Sequence, residues 1–273
     1  MHLDLYTPTW PAATAPHHAP PPPSPTLLPP LPLPHSTPPF CSPSIASAPI
    51  PGEGGSSFNV QITVGKDSKS GTSGASRNGV CSHWVPALTE GTKVKVWLNP
   101  AIDFRLPLEA PDSRHPPCIL VGAGTGCAPF RGFWRWNGAQ QHREHSRFRD
   151  MYLYLGFQSP AQEPYREEMA AAVESGALRA YTVAYSRVPD IMPKTYVQDL
   201  LKQPEHATLM LRLLREENAH IYICGGVRMA VGVRKALKSV LQGDDGSAEA
   251  AAAAEAEIQS LGHRFHEDLF GNI

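Results

Sequence analysis

Apolar and polar positions fall into distinct regimes along the chain. Phe58-Asn-Val-Gln-Ile-Thr-Val64 alternates as a half-buried strand does, and Val94-Lys-Val-Trp-Leu98 alternates again. Between them Lys66 to Asn78 is polar and rich in Gly and Ser, which predicts a loop. This small β-rich region is expected to end near His115-Pro-Pro117. Beyond it the period switches repeatedly between strand and helix. Apolar strands are predicted at Cys118–Val121, Met151–Phe157, Leu178–Tyr185 and His220–Cys224. Helices are predicted near Ala128–Trp136, Pro164–Glu174, Tyr196–Lys202, Ala207–Glu217 and Val227–Leu241. An alanine-rich helix over Ser247–Ser260 and a short strand over Arg264–Leu269 follow. Such alternation implies an α/β fold: right-handed crossovers, a parallel sheet with helices on both faces, and ligands at the carboxyl ends of the strands.

Met1 to Pro51 holds 17 of the 29 prolines, including the run Pro20 to Pro23. Proline removes backbone donors and fixes φ, so this stretch is expected to be extended and disordered. A polyproline ligand for SH3 or WW modules is the recognition alternative. The formal net charge of −1 gives no electrostatic case for nucleic acid or acidic membranes as partners. The five cysteines are scattered and never spaced as C-x-x-C, which argues against a disulfide framework or a zinc site and fits a reducing compartment. No apolar run approaches the roughly 18 residues of a membrane span. No basic region precedes an apolar core at the N-terminus, and no Lys or Arg precedes Lys66. The expected location is cytoplasmic.

Gly122-Ala-Gly124-Thr-Gly126 follows a predicted strand directly and leads into Ala128-Pro-Phe-Arg131. Glycines let a backbone turn sharply and approach a pyrophosphate without Cβ clashes, and the next helix offers unpaired N–H groups to phosphate oxygens. Pro129 suits a first helical turn.

The segment Cys118-Ile-Leu-Val-Gly-Ala-Gly-Thr-Gly-Cys-Ala-Pro-Phe-Arg-Gly-Phe-Trp134 resembles the NADPH-binding segment of diflavin reductases, the family of nitric oxide synthase reductase regions and NADPH–haemoprotein reductases. Four more segments resemble that family in its order: Tyr165-Arg-Glu-Glu168, Ala184-Tyr-Ser-Arg187 followed by Lys194-Thr-Tyr-Val-Gln198, His220-Ile-Tyr-Ile-Cys-Gly225, and His266-Glu-Asp-Leu-Phe-Gly271. The last leans toward the synthase branch. Upstream, Asn78-Gly-Val-Cys-Ser-His-Trp84 resembles an element that holds FAD pyrophosphate. The resemblance implies a ferredoxin–NADP reductase-like NADPH domain over residues 116–273. It also implies a partial antiparallel FAD-binding barrel over 44–115, after a leader over 1–43.

What the resemblance implies for sites can be checked against chemistry. The 2′-phosphate of NADP is dianionic and demands cations and hydroxyl donors; Ser186, Arg187, Lys194, Tyr196 and Gln198 stand at those positions. An ordinary solvated surface, or a core aromatic in the case of Tyr196, is the structural alternative. Gly122, Gly124, Thr125 and Gly126 would take the NADPH pyrophosphate, and Gly79, Val80, Cys81 and Ser82 the FAD phosphates. For hydride transfer the family uses a Ser, a Cys, an Asp and a C-terminal aromatic, which fall here on Ser44, Cys224, Asp268 and Phe270. No metal is implied.

The pattern departs from the family at several places. The Arg and Tyr of its R-x-Y-S element are replaced by Cys41 and Pro43, and each loss should weaken FAD by on the order of 1–3 kcal/mol. The first half of the FAD barrel, the connecting helices and the FMN domain have no counterpart. Gly226 replaces an acid, and Gln158 stands near where an arginine is expected. The function implied is an NADPH-dependent oxidoreductase passing hydride to FAD, with onward transfer to an FMN- or haem-containing acceptor. The alternative is a truncated NADP(H)-binding protein without flavin turnover.

Overall fold

In the computed structural model the described residues are 45–48, 60–65, 68–70, 76–78, 83–96, 101–107, 115–140, 149–188 and 193–271. The leader lies outside them. The chain divides into two units, with residues 66–97 in the first and residues 43–65 and 98–273 in the second.

Within the first unit, β1 (Ser68–Ser70) and β2 (Ser76–Asn78) pair antiparallel, with Ser68 opposite Asn78. A helical turn at His83–Trp84 runs into a 3-10 turn at Val85–Ala87. The polar stretch expected as a loop therefore contains a hairpin. Its residues carry no hydrophobic alternation for a pattern reading to detect, because backbone ladders form without it. Val94 to Val96, expected in a strand, has no strand partner among the described residues.

The second unit is built on five strands: β3 (Cys118–Ala123), β4 (Met151–Phe157), β5 (Ala180–Tyr185), β6 (His220–Gly226) and β7 (Phe265–Phe270). Their order is β5-β4-β3-β6-β7, and every pairing is parallel. All five carboxyl ends therefore share one edge. The chain starts in the middle at β3, moves outward to β5, and returns to the far side at β6. In open parallel sheets ligands bind at such a reversal, here the carboxyl ends of β3 and β6.

Alternate residues of the central strands feed two cores. Ile119, Val121, Tyr154, Ile221 and Ile223 pack against α3 (Val197–Leu201), α4 (Pro204–Arg215), α5 (Val227–Gln242) and α6 (Ala248–Ser260). Leu120, Leu153, Leu155 and Tyr222 pack on the opposite side against α1 (Ala128–Ala139) and α2 (Arg166–Glu174), through Phe130, Trp134 and Met169. The helices thus cover both faces, as the pattern implied. Ser247 caps α6 by accepting from the Ala250 N–H at 3.0 Å, a cap that contributes about 1 kcal/mol. Two further segments join this unit. Phe104 inserts beside Phe130, Phe133 and Tyr222. Ile62 bridges Ile45 antiparallel, which is the one β contact made by the described part of the strand expected over 58–64.

At the amino edge of the sheet, His266 Nδ1–H donates to the Asp103 carbonyl, so its Nε2 accepts from His220 Nδ1–H at 3.0 Å. The His266 ring stacks on Tyr222 with centroids 4.2 Å apart. Burial holds the His220 imidazole down to about 4, and His266, Arg149, His263 and Arg264 add repulsion; burial also lowers His266. A histidine with a depressed folded pKa contributes stability that is complete above its unfolded value. That contribution is lost as pH falls from about 6.5 toward 4. Denaturant melts across this window should show a loss on the order of 2–3 kcal/mol that His220→Gln largely removes. A wild-type curve as flat as that of the variant would contradict the assignment. Among the described residues no helix is long and apolar enough to cross a membrane.

Candidate functional site

The glycine turn sits at the end of β3, in the centre of the carboxyl edge. Residues Gly124–Cys127 form a 3-10 turn that passes directly into α1, with Pro129 in the first helical turn. Gly124 has φ +57, a left-handed conformation that favours glycine, and a Cβ there would meet nothing within 4 Å. Gly126 is glycine for a different reason. A Cβ built on it would lie 2.0 Å from the Cys224 carbonyl oxygen, so the turn is pressed against β6 backbone to backbone. The turn thus lies against β6 at the carboxyl edge, and α1 begins there, where unpaired N–H groups meet a phosphate most favourably.

Two strands away, β5 ends at Tyr185 and continues into Ser186 and Arg187. The Ser186 and Arg187 N–H groups donate to the Phe157 and Gln158 carbonyls at 3.0 and 2.8 Å. The Thr195 N–H donates to the Tyr185 carbonyl at 3.1 Å, which returns Lys194 and Tyr196 to the same strand end. Lys194 Nζ lies 5.2 Å from the Tyr196 ring centroid. Arg187 and Lys194 are exposed, and neither joins an ion pair among the described residues. Tyr196 is 43% exposed, which removes the reading of it as a core aromatic. Gln198 instead packs toward α5, where a Cβ on Gly232 would lie 3.1 Å from its Cδ.

On the other side of the turn, register aligns Gly122, Cys224 and Asp268 across β3, β6 and β7, and sets Gly226 opposite Phe270. Cys224 is fully buried, and its thiol donates to Asp268 Oδ2 at 3.9 Å. Burial, then the Asp268 charge, pushes the Cys224 thiol upward; burial likewise pushes Cys127 up to about 12. Cys224 is therefore a neutral hydrogen-bond donor held by a carboxylate, and not a thiolate nucleophile. Phe270 is 45% exposed and leaves an aromatic surface at this edge.

Residues 120–235 match the family described as oxidoreductase NAD-binding domain. The chain is 37% identical over 207 residues to the inducible nitric oxide synthases of Bos taurus and Homo sapiens, and 38% identical over the same length to that of Sus scrofa. Each alignment covers 73% of this chain and 17% of the relative, so the chain spans a small part of the proteins it matches. These matches are to a diflavin reductase-type C-terminal region.

One edge of the sheet carries Gly122, Gly124, Thr125, Gly126, Ser186, Arg187, Lys194, Tyr196, Cys224, Asp268 and Phe270. Ser44, Gly79, Val80, Cys81 and Ser82 lie outside the described residues. Several polar residues of these segments take positions that the sequence pattern does not indicate. Tyr185 Oη donates to Glu163 Oε2, and Arg166 Nη2 contacts both, at 2.9 Å to Tyr185 Oη and 2.7 Å to Glu163 Oε2. Arg131, 8% exposed, pairs with Glu168 at 2.7 Å and lies 4.4 Å from the Tyr165 ring centroid. One signal for Arg131 was available: it sits between Phe130 and Trp134, on a face of α1 that its neighbours require to be buried.

Proposed function

We propose that this chain is an NADPH-dependent flavoprotein oxidoreductase module that passes hydride from NADPH to FAD, with onward transfer to an FMN- or haem-containing acceptor. The supporting observation is convergence. A glycine turn pressed at Gly126 against the β6 backbone, two cations outside any ion pair among the described residues, and a buried thiol–carboxylate pair all lie on one sheet edge, in the order in which a dinucleotide would meet them. Gly122, Gly124, Thr125 and Gly126 fit a pyrophosphate, because a glycine-rich turn at a helix start offers backbone N–H groups with few side chains in the way. Ser186, Arg187, Lys194 and Tyr196 fit a 2′-phosphoadenosine by charge and by a stacking face. When bound, FAD supplies the hydride acceptor. Cys224 and Asp268 hold a donor and a carboxylate at the nicotinamide end, and Phe270 covers that end against water. Gly79, Val80, Cys81 and Ser82 are assigned to the FAD phosphates, and Ser44 to the hydride site.

The second reading, NADP(H) binding without flavin turnover, is favoured by Cys41 and Pro43, which stand where a phosphate-binding Arg and a flavin-stacking Tyr are expected. Protein reconstituted with FAD and mixed with NADPH under anaerobic conditions separates the two. Bleaching of flavin absorbance is expected on the first reading. Colourless protein retained on an adenosine-2′,5′-bisphosphate resin supports the second. In the reconstituted protein Cys224→Ala should slow bleaching by at least about tenfold, as loss of a positioned donor does, with nucleotide affinity kept. An unchanged rate would leave the thiol a packing group.

A further inference from the structure

Arg131 is a buried, multiply bonded cation of the second unit, and the nucleotide reading gives it no part. It lies in the first turns of α1, five residues after Gly126. Its Nε and Nη2 donate to Glu168 Oε2 on α2 at 2.9 and 2.7 Å, and Trp134 Nε1 donates to the other oxygen, Oε1, at 3.2 Å. Its Nη1 donates to the Ala46 carbonyl at 3.0 Å and to Gln61 Oε1. The guanidinium therefore fastens two upstream segments, 45–48 and 60–65, onto the helix that leaves the glycine turn. Those segments are joined to one another by the Ala46 N–H, which donates to the Gln61 carbonyl at 2.7 Å. Tyr165 adds a second clamp: its hydroxyl shares a 2.7 Å hydrogen bond with Thr63 while its backbone holds a left-handed φ of 63°. A non-glycine residue keeps that conformation only where its surroundings hold it there.

The clamped segment ends on the turn itself. A Cβ built on Gly65 would lie 2.9 Å from Thr125 Cγ2, so the 60–65 backbone lies directly against the one side chain between Gly124 and Gly126. We propose that Arg131 is a positioning residue for nucleotide binding, which fixes residues 60–65 over Thr125 and thereby holds the N–H groups of the glycine turn in register for a pyrophosphate. This rests on the nucleotide assignment proposed above and adds a group that touches no part of the nucleotide. Arginine suits the position because its planar fork reaches the Glu168 carboxylate with one edge and the Ala46 carbonyl with the other, a span that the compact ammonium of lysine lacks.

Calorimetric titration of the full chain with two probes tests the proposal. NADP+ contains the pyrophosphate, whereas adenosine-2′,5′-bisphosphate carries the 2′-phosphate and no pyrophosphate. Arg131→Gln should weaken NADP+ by roughly tenfold or more, part of the roughly hundredfold that an ångström of donor misplacement can cost, while adenosine-2′,5′-bisphosphate changes by less than about twofold. Hydrogen exchange at residues 60–65 should rise in parallel, with the β3 and β6 amides still protected. Arg131→Lys should behave like the Gln variant and not rescue it. Gly65→Ala leaves the clamp intact but intrudes on Thr125, and should show the same split between probes; with Arg131→Lys it carries the test if Arg131→Gln does not fold. Equal weakening of both probes, or no weakening of either in folded protein, overturns the proposal. Wild-type protein that ignores adenosine-2′,5′-bisphosphate overturns the nucleotide assignment itself, and this inference with it.

Discussion

Replacing Arg187 and Lys194 together by alanine is expected to weaken NADPH by about two orders of magnitude while leaving NADH within about threefold. The asymmetry follows from where the two charges sit. Both follow the carboxyl end of β5, brought together by the Thr195 N–H bond to Tyr185, and the glycine turn lies two strands away on β3. A ligand lacking the 2′-phosphate keeps the turn and loses nothing with these side chains. Each charge-assisted contact contributes about 1.5–3 kcal/mol. Both groups are solvated, so the lower end applies and salt should erode the preference further. Affinities for the two coenzymes, measured at low and at high ionic strength, provide the check. Equal losses for both coenzymes would mean that the cations serve the surface and not the phosphate.

The parallel sheet was legible from the sequence because its central strands β3, β4 and β6 are nearly pure apolar runs. The Met151–Phe157 run coincides with β4, and Val227–Leu241 differs from α5 by one residue at its end. Two elements outside that sheet were not legible. The serine-rich hairpin β1–β2 shows no period of two in hydrophobicity, and Val60 to Gly65 is fastened by Arg131 and Tyr165 more than by strand pairing. The site divided along the same line. The glycine turn, Ser186-Arg187 and Cys224 are local signals, each next to a strand end that the pattern locates. The Glu163–Tyr185–Arg166 group, the Arg131–Glu168 pair and the His220–His266 pair join residues up to 46 positions apart. Their partners are chosen by packing, and one sequence offers no means of pairing them.

Two glycines of the same turn should respond very differently to alanine, and the difference measures how the turn is built. Gly124 needs only a left-handed backbone with open space around it, so Gly124→Ala should cost about 1 kcal/mol. At Gly126 the added methyl would fall 2.0 Å from the Cys224 carbonyl oxygen and 2.7 Å from its carbon. No rotamer change relieves that contact, since both partners are backbone. The turn must instead move off β6 by about an ångström, a misplacement large enough to cost a hundredfold where donors must be aligned. Gly126→Ala is therefore expected to cost about 3 kcal/mol or more, at the top of the range for overpacked cores, and to abolish measurable NADP+ binding. Denaturant melts and NADP+ titrations of the two variants side by side give the comparison. If Gly126→Ala melts like Gly124→Ala and still binds NADP+, the close approach of turn to strand is not what shapes the cradle, and the pyrophosphate assignment loses its physical basis.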